Sequence, residues 1–527
     1  MLYAPPPGNA INFNAGTPYS APAGAGFILN LGGETVTISF SEWLRDQTAQ
    51  RVLLVEAGVS IGGTETTQYL STRGLATGAT DTPANTPYLP YVAGGINLTE
   101  ELSLDSDAGG MAFGDIELLN HSGALDDWLG SSYIWVNRAV RVYLGDTRWS
   151  RADFELVFDG VIADIDSKSR DRLSLKIRDK LQRLNTPISE TKLGGTSANA
   201  DALIPVALGE VCNITPLLTD PATHEYQYHT TASEGIIEVR DDGVPVSVTS
   251  TPTTGKFTLL ASPAGSITAS VQGDKPGGVY SATVAALVRR LATGYGKAAT
   301  RFTEADLDTA NLDAFDATHP QAVGVYAQSR ENCLAIIQQL AASLGAQAVI
   351  SRTGKLQLLQ IALPPGGTPT PIGPGDLVAG TLVPVQRIEV RAAAKIGYCK
   401  NWTVQASLQT GIPAAHKALF ADEYLTTSAS DGAVETDYKL DAEPVLRETF
   451  LLSKTDADTE AARELALYST PRTVFGFEGF AWLLELKLGD AVTITHPRFG
   501  LSSGKAGVVV KLAPDWFSAR VYVEVLV

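Results

Sequence analysis

Two histidines come close together at one place in the sequence, residues 223–229, which read THEYQYH. A zinc-protease motif of the type HExxH places two histidines four positions apart on one face of a helix. His224 and His229 are five positions apart, which suits neither one helical face nor one strand face. The spacing therefore does not predict a zinc site, and the other histidines are scattered: His121, His319, His416 and His496.

An acidic run at residues 105–110, DSDAGG, is similar to the start of a calcium-binding loop. An EF-hand loop also needs a bidentate carboxylate at its twelfth position, and Ile116 stands there. We therefore expect a solvated acidic turn at this place and not a calcium site.

Two glycine-containing stretches match the sequence of a known motif but lack the flanking secondary structure that the motif requires. Residues 500–504, GLSSG, match the GxSxG of a nucleophile elbow, but a helix must follow that elbow and a β-prone run follows here. Residues 294–299, GYGKAA, are similar to a dinucleotide-binding pattern, but they follow a predicted helix and not a strand. We expect a plain loop at the first and a turn at the second.

The three cysteines, Cys212, Cys333 and Cys399, have no close spacing, which supports neither a metal knuckle nor a disulfide framework. Cys333 falls on the apolar face of a predicted helix, where core packing is the favoured role. Adjacent carboxylates such as Asp126 and Asp127 are expected in turns, and nothing selects a catalytic pair among 57 acidic residues. The sequence predicts no catalytic, cofactor-binding or metal site, no cofactor and no enzymatic activity.

The composition describes a folded, turn-rich protein, and 527 residues leave room for three or four domains. Hydrophobic residues make up 44%, charged residues 18%, and 49 Gly with 28 Pro favour a mostly β protein. The formal net charge of −17 and the lack of clustered Lys and Arg argue against general phosphate binding. With no apolar run of about eighteen residues and no signal-peptide pattern, we expect no membrane insertion and folding in a reducing cytoplasm.

The elements that must position any site are mostly strands, and residues 488–527 show them most clearly. Three β-rich runs are separated there by turn residues, and residues 520–526 alternate polar and apolar side chains. A looser version of the pattern occurs at residues 140–177. Both copies place an apolar strand through Gly-Val, at Gly160 and Gly507, followed by a polar turn and a final alternating strand. The sequence therefore predicts two barrels of one kind.

The clearest helix is at residues 329–345, where Ser329 can cap the start and Gly345 can supply a left-handed end. A hairpin at residues 346–361 follows it, and Asp-Gly at residues 242–243 signals another hairpin. The remaining predictions are a Pro/Gly-rich turn-strand repeat at residues 3–14 and 19–30, mostly turn at 58–87, helical turns at 123–129, helices at 284–291 and 456–467, strands at 383–390 and 401–406, and an exposed excursion at 414–437.

Three features together resemble the baseplate hub proteins of long-tailed bacteriophages, of the siphophage and gene-transfer-agent type. They are the opening repeat YAPPPGNAINF at residues 3–13, the helix and hairpin at 329–361 with LGA at 344–346 and TGKL at 353–356, and LGDAVTITHPRFG at 488–500. Each is a structural motif, and together they are spread along most of the chain.

Combined with this resemblance, the patterns predict a mainly β, multidomain protein with α+β parts. The predicted domains are a turn-strand repeat (1–50), a first tube-type antiparallel β-barrel (51–197), a small β-rich peripheral domain (198–283), an α+β domain with helix 329–344 on hairpin 346–361 (284–363), a linker (364–375) and a second tube-type β-barrel (376–527).

The resemblance implies a structural protein of the virion, located at the tail tip or baseplate and assembled in the host cytoplasm. Its partners would be two further copies in a homotrimer, the distal tail protein and tail-tube ring above, the tape-measure protein, and tip or fibre proteins below. Two barrels in each of three subunits would match a sixfold tail tube. DNA would pass only transiently during ejection, and acidic residues would keep the passage non-adhesive.

Two rival classes stay open at this point. A tail-associated cell-wall or capsule hydrolase, or a carbohydrate-binding adhesin, would act on glycans, although no hydrolase motif is visible in the chain. A secreted bacterial β protein would need a signal that the N-terminus lacks.

Overall fold

The computed structural model describes residues 27–31, 34–104, 110, 112–440 and 443–527. Strands make up 41% and helices 20%, which confirms the predicted mainly β fold with α+β parts. The predicted repeat at residues 3–14 and 19–30 lies outside the described residues, apart from the strand Phe27–Leu31. The acidic run at residues 105–109 also lies outside them.

The first part of the chain is mostly strand. Its short helix is capped by Ser39, whose side chain accepts from the backbone N–H of Glu42 at 3.2 Å. The elements are helix α1 Phe40–Arg45 and strands β1 Phe27–Leu31, β2 Glu34–Ile38, β3 Arg51–Ile61, β4 Thr64–Ser71, β5 Leu75–Ala76, β6 Pro87–Tyr88, β7 Val92–Glu101, β8 Phe113–Leu119, β9 Tyr133–Ile134, β10 Ala139–Asp146, β11 Glu155–Ser169 and β12 Arg172–Arg178.

The prediction of mostly turn at residues 58–87 is wrong for about its first half. Strand β3 continues to Ile61, and β4 pairs with it antiparallel around the turn at Gly62 and Gly63. Threonine, frequent in β4, favours extended backbone, and pairing with a long buried strand reinforces that preference. The predicted helical turns at 123–129 are confirmed as a 3-10 helix at Asp126–Leu129.

Residues 206–274 form the small β part that the sequence predicts. Asp242 and Gly243 have positive φ angles of 45° and 86°, and they join two strands in register at Asp241 and Val244, which confirms the predicted hairpin. The strands are β13 Val206–Ile214, β14 Leu217–Asp220, β15 Glu225–Gln227, β16 Ser233–Asp241, β17 Val244–Val246, β18 Val248–Thr251, β19 Lys256–Leu259 and β20 Ile267–Asp274.

The α+β part follows, and its main helix starts later than predicted. Ser329 is not the cap: the helix begins at Cys333, and the Asn332 side chain caps its first N–H groups. The preceding residues are held extended by the chain at 186–188, because Ile188 N–H donates to Glu331 O at 2.7 Å. The elements are α2 Val284–Gly294, α3 Thr309–Thr318, β21 Gly324–Ala327, α4 Cys333–Ala342, β22 Ala346–Ile350 and β23 Leu356–Gln360.

Other features of this part agree with the sequence. Gly345 has a φ of +60°, the left-handed conformation expected after a helix. Strands β22 and β23 pair antiparallel, which confirms the hairpin. The predicted apolar face of the helix is buried: Cys333, Ile336, Ile337, Leu340 and Leu344.

The last part combines strands with three helices. Helix α7 confirms the prediction at 456–467. Residues 414–437 are mostly exposed, as predicted, and they contain two short helices and a strand paired with β26. The elements are β24 Thr370–Ile372, β25 Val383–Ile388, β26 Ala393–Tyr398, α5 Ala414–Ala421, β27 Leu425–Ser430, α6 Gly432–Tyr438, β28 Leu446–Glu448, α7 Lys454–Tyr468, β29 Arg472–Phe480, β30 Ala491–Ile494, β31 Lys505–Asp515 and β32 Arg520–Leu526.

One large sheet contains strands from both ends of the chain. Its order is β25-β29-β32-β31-β7-β8-β12-β11-β10-β3-β4, with β30 paired to β31 and β24 paired to β30. The largest hydrophobic cluster lies against one face of it and combines residues of both ends, including Trp43, Trp135, Phe477 and Trp516. The closure of this arrangement into two separate barrels, and the predicted domain boundaries, stay predictions.

The sheet repeats itself. The antiparallel series β7-β8-β12-β11-β10 near the N-terminus has the same order as β25-β29-β32-β31-β30 near the C-terminus. The registers also agree: Val140 pairs with Gly160 as Val492 pairs with Gly507. A bulge lies between Ile162 and Asp164 in β11, and at the matching place in β31, after Val509. We call the two series the first and second half-sheets.

Glycine is required at Gly160 and Gly507, the equivalent positions of the two half-sheets, for the same physical reason. A Cβ on Gly160 would lie 2.4 Å from Arg178 O, and a Cβ on Gly507 would lie 2.6 Å from Leu526 O. Any larger residue would therefore push the neighbouring strand away at the equivalent point of either half-sheet. The Gly-Val match in the sequence thus reports the same close approach of two strands in both halves.

Candidate assembly surface

The two half-sheets meet edge to edge inside one chain. Strand β31 pairs with β7, with Lys511 opposite Glu101 and Leu512 opposite Glu100. Leu102 N–H donates to Val510 O at 2.8 Å and extends the pairing by one bond. We call this contact the internal junction. It uses the part of β31 beyond the bulge, which β30 leaves free.

A buried arginine fastens the internal junction. Arg352, in the turn between β22 and β23, donates from Nε to Glu100 Oε2 at 2.5 Å and from Nη1 to Leu484 O at 2.8 Å. Its own backbone oxygen accepts from Asp159 N–H at 2.7 Å. Both charged side chains of the pair are nearly inaccessible to water, so the α+β part ties the first half-sheet to the second.

The repeat defines a second junction whose two edges are apart in the single chain. The chain of β31 from Val510 onward, whose first three residues pair with β7, is equivalent to residues 163–169 of β11, and the strand equivalent to β7 is β25. Among the described residues, β25 ends the sheet, and residues 163–169 have a strand partner only on the β12 side. We call residues 163–169 and β25 the open edges.

The backbone of β25 points outward at Arg387. Thr473 lies opposite Arg387, but its N–H and C=O both bond to Val527, at 3.2 and 3.0 Å, on the far side. In an antiparallel ladder such a pair exchanges no hydrogen bonds, so the N–H and C=O of Arg387 face the open side. On the other open edge, the N–H of Ile165 is satisfied by the Asp164 carboxylate at 2.9 Å and not by a strand.

The open edge of β25 also exposes apolar side chains. Val383 and Val385 are 44% and 42% accessible. An edge strand with free backbone groups and exposed valines is a template for pairing with another chain, and Pro384 blunts it only in part. The edges differ in net charge by the sign of one residue, since residues 163–169 carry Asp164, Asp166 and Lys168, and β25 carries Arg387.

Around β8, β12 and the internal junction, the face of the half-sheets turned away from the shared core is polar and internally paired, whereas Val474, Val508 and Leu526 of the second half-sheet pack in another hydrophobic cluster on that side. Lys168 contacts Asp115, Arg172 contacts Glu117, and Lys176 lies 3.5 Å from Asp166. At the internal junction Lys511 lies 3.0 Å from Glu101. In these four pairs the cation is neutralised by a carboxylate of another strand of the same sheet.

Asp115 illustrates how strongly these carboxylates are held. Burial opposes its ionisation, but hydrogen bonds from Lys168, Asn97 and Ser174 outweigh it and hold the pKa of Asp115 below its usual range. The carboxylate therefore stays charged and paired at neutral pH.

The two histidines of residues 223–229 lie in different surroundings. His229 is fully buried, where its Nδ1 accepts from Ala207 N–H at 3.1 Å and its Nε2 lies 3.3 Å from Asp274 Oδ1. His224 is partly exposed beside Ser262, at 3.2 Å. Within the described ranges, no group of three or more His, Cys, Asp or Glu side chains is placed to hold a metal ion.

The other sequence patterns have structural roles. Residues 500–504 form the loop before β31, residues 295–299 form a turn and 3-10 helix after α2, and Cys333 is 1% accessible in the core, each as predicted. The sequence did not indicate the open edges or the approach of Cys212 to Cys399, whose Sγ atoms are 3.8 Å apart. In the part of the chain that the structure describes, no helix is both long and apolar enough to cross a membrane.

Comparison with known proteins gives a likeness of overall structure only. No protein-family model and no curated protein match the chain. Similar solved structures include a tail protein from Neisseria meningitidis (9% identity, TM-score 0.39, 90% of this chain and 96% of that one). The 43 kDa tail protein of prophage MuSo2 from Shewanella oneidensis has 11% identity and a TM-score of 0.39, over 90% of this chain and 98% of its own.

A chain from the virion of a native gene transfer agent particle has 12% identity and a TM-score of 0.43, over 66% of this chain and 91% of its own. These names are those of tail and virion structures. All three TM-scores lie below 0.5.

Proposed function

We propose that the protein is a structural component of a phage tail that assembles head to tail through its open edges, and that it serves as the baseplate hub at the tail tip. Two observations together carry the proposal. The half-sheets pair at the internal junction, and the equivalent strands, residues 163–169 and β25, are left unpaired with each other within one chain. The pairing that joins β31 to β7 within one chain is repeated between chains by the equivalent edges. Residues 163–169 of one copy pair with β25 of the next.

Contacts of this kind join unlike surfaces, so they produce either a closed ring or an open filament. The resemblance to tail hubs favours a ring of three copies. Internal and external junctions would then alternate, six half-sheets would surround one passage, and the ring would match a sixfold tail tube. Pairing of edges would add backbone hydrogen bonds and would cover Val383 and Val385.

The paired polar face would line the passage in such a ring. Cations of this face such as Lys176 and Lys511 are engaged by carboxylates of the same sheet, which weakens their attraction for phosphates. DNA would therefore pass without lasting contact. The distal tail protein, the tape-measure protein and tip or fibre proteins are the partners this role requires, and the virion tail tip is its location.

The size and shape of the assembled protein test the proposal. Sedimentation velocity of the purified full chain is expected to give a species of three copies of the 55.7 kDa chain, and electron microscopy a ring with sixfold appearance. A protein that stays monomeric at tens of micromolar would contradict the ring. Turnover of cell-wall or capsular glycans by the purified protein would favour the rival hydrolase class instead.

A further inference from the structure

Two cysteines far apart in the sequence lie side by side in the fold. Cys212 is in β13 and Cys399 follows β26 directly, 187 positions later. Their Sγ atoms are 3.8 Å apart, both side chains are partly accessible, and both are free thiols. The third cysteine, Cys333, is buried in the core among the residues of α4 and is not available to pair with either of them.

The backbone around the two thiols holds them in this position. Trp402 N–H donates to Cys212 O at 3.3 Å, and Cys399 N–H donates to Leu451 O at 2.7 Å. Next to them, the Asn213 side chain donates to Asn401 Oδ1 at 2.8 Å. The approach of the sulfurs is therefore built from backbone and side-chain contacts on both sides and does not depend on the thiols themselves.

We propose that Cys212 and Cys399 are a disulfide-forming pair, a modification site that joins the small β part to the C-terminal part of the chain. A disulfide has an S–S distance of about 2.05 Å, so the sulfurs must close by about 1.8 Å, which side-chain rotation shared between two residues can supply. The oxidant is a small-molecule disulfide such as oxidised glutathione.

The reaction is two successive thiol–disulfide exchanges. The Cys399 thiolate attacks one sulfur of oxidised glutathione, forms a mixed disulfide and releases one glutathione thiolate. The Cys212 sulfur then attacks Cys399 Sγ and displaces the second glutathione, while its proton goes to the departing thiolate. The products are one protein disulfide and two glutathione thiols.

Cys399 is the better first nucleophile. A hydrogen bond from the Cys212 thiol lowers the pKa of Cys399 below the ordinary thiol value and outweighs the opposing effect of burial. The second thiol is thus already beside the sulfur that it must attack.

The cross-link joins strand β13 to the segment that follows β26. Strand β13 carries Val211 and Ile214 of the small β cluster, and Cys399 packs against the cluster built around α4 and α7. If the proposed function holds, the chain folds reduced in the host cytoplasm and oxidises after release, so that the bond fastens the peripheral β part in the free particle.

Mass spectrometry of the full-length protein tests the site. After incubation with oxidised glutathione, we expect a non-reduced peptide pair linking Cys212 to Cys399, and loss of two of three titratable thiols under denaturing conditions. The thermal midpoint should rise by several degrees and return after dithiothreitol. Cys333→Ser is the matched control and should retain both the link and the shift.

Two results would overturn the proposal: separate glutathione adducts on Cys212 and Cys399 without a link, or a link that includes Cys333. The thiols are counted in the unaltered protein. The test therefore does not depend on the folding of a variant that lacks one of the two cysteines, Cys212→Ser or Cys399→Ser. Sedimentation of the same samples reports the assembly state separately, so failure of the disulfide and failure of the ring are distinguishable.

Discussion

Replacement of Arg387 by proline tests the open edge of β25 directly. Arg387 is exposed, and its backbone N–H faces away from β29, because Thr473 opposite it bonds to Val527. Proline removes this N–H and places its ring on the open side. Within one chain little is lost, since the edge strand already tolerates Pro384 and exposed substitutions usually change stability by less than about 0.5 kcal/mol.

Between copies the loss is larger. One backbone hydrogen bond contributes about 1 kcal/mol, and the carbonyl left unpaired on the neighbouring strand costs about 1–3 kcal/mol more. The change is therefore about 2–4 kcal/mol at every contact between copies. Because about 1.4 kcal/mol is a factor of ten, the association constant should fall roughly 30-fold to 700-fold.

Sedimentation velocity over a range of concentrations measures this fall, and thermal unfolding reports whether the variant is folded. Arg387→Ala is the matched control, because it removes the same guanidinium but keeps the N–H, and it should weaken assembly far less. If Arg387→Pro unfolds at the normal midpoint and still assembles as tightly as the unaltered protein, β25 is not the edge that joins copies.

Two further predictions concern a single chain. Arg352→Met leaves Glu100 buried without its partner and should lower the free energy of unfolding by about 3–5 kcal/mol. Lys511→Met, at the more exposed pair with Glu101, should cost less than about 1 kcal/mol. Equal losses in denaturant titrations would contradict the fastening role of Arg352. Burial, with the charge of Glu100 adding to it, raises the pKa of Asp179 to about 7, above the unfolded value of about 3.9. Its contribution to stability is therefore lost as pH rises from about 4 through about 7, and the thermal midpoint should fall over this range more steeply than in Asp179→Asn; parallel pH profiles would refute this.

Much of the local structure followed from the sequence alone. The alternation at residues 520–526, the Asp-Gly turn at 242–243 and the apolar face of α4 are confirmed because each depends on neighbours within a few positions. The cap of α4 was misplaced because a distant segment, residues 186–188, competes for the backbone before it. The Gly-Val match indicated the repeat correctly, since a close approach of two strands excludes any Cβ at both glycines.

The tertiary structure alone decided which edges are used and which stay open. The bond from Leu102 to Val510 and the approach of Cys212 to Cys399 each join residues that are at least 187 positions apart. Strand periodicity specifies which face of a strand is buried, but a backbone edge has the same N–H and C=O groups whatever its sequence. Only the fold could therefore show that β31 meets β7 inside the chain while β25 keeps an open edge.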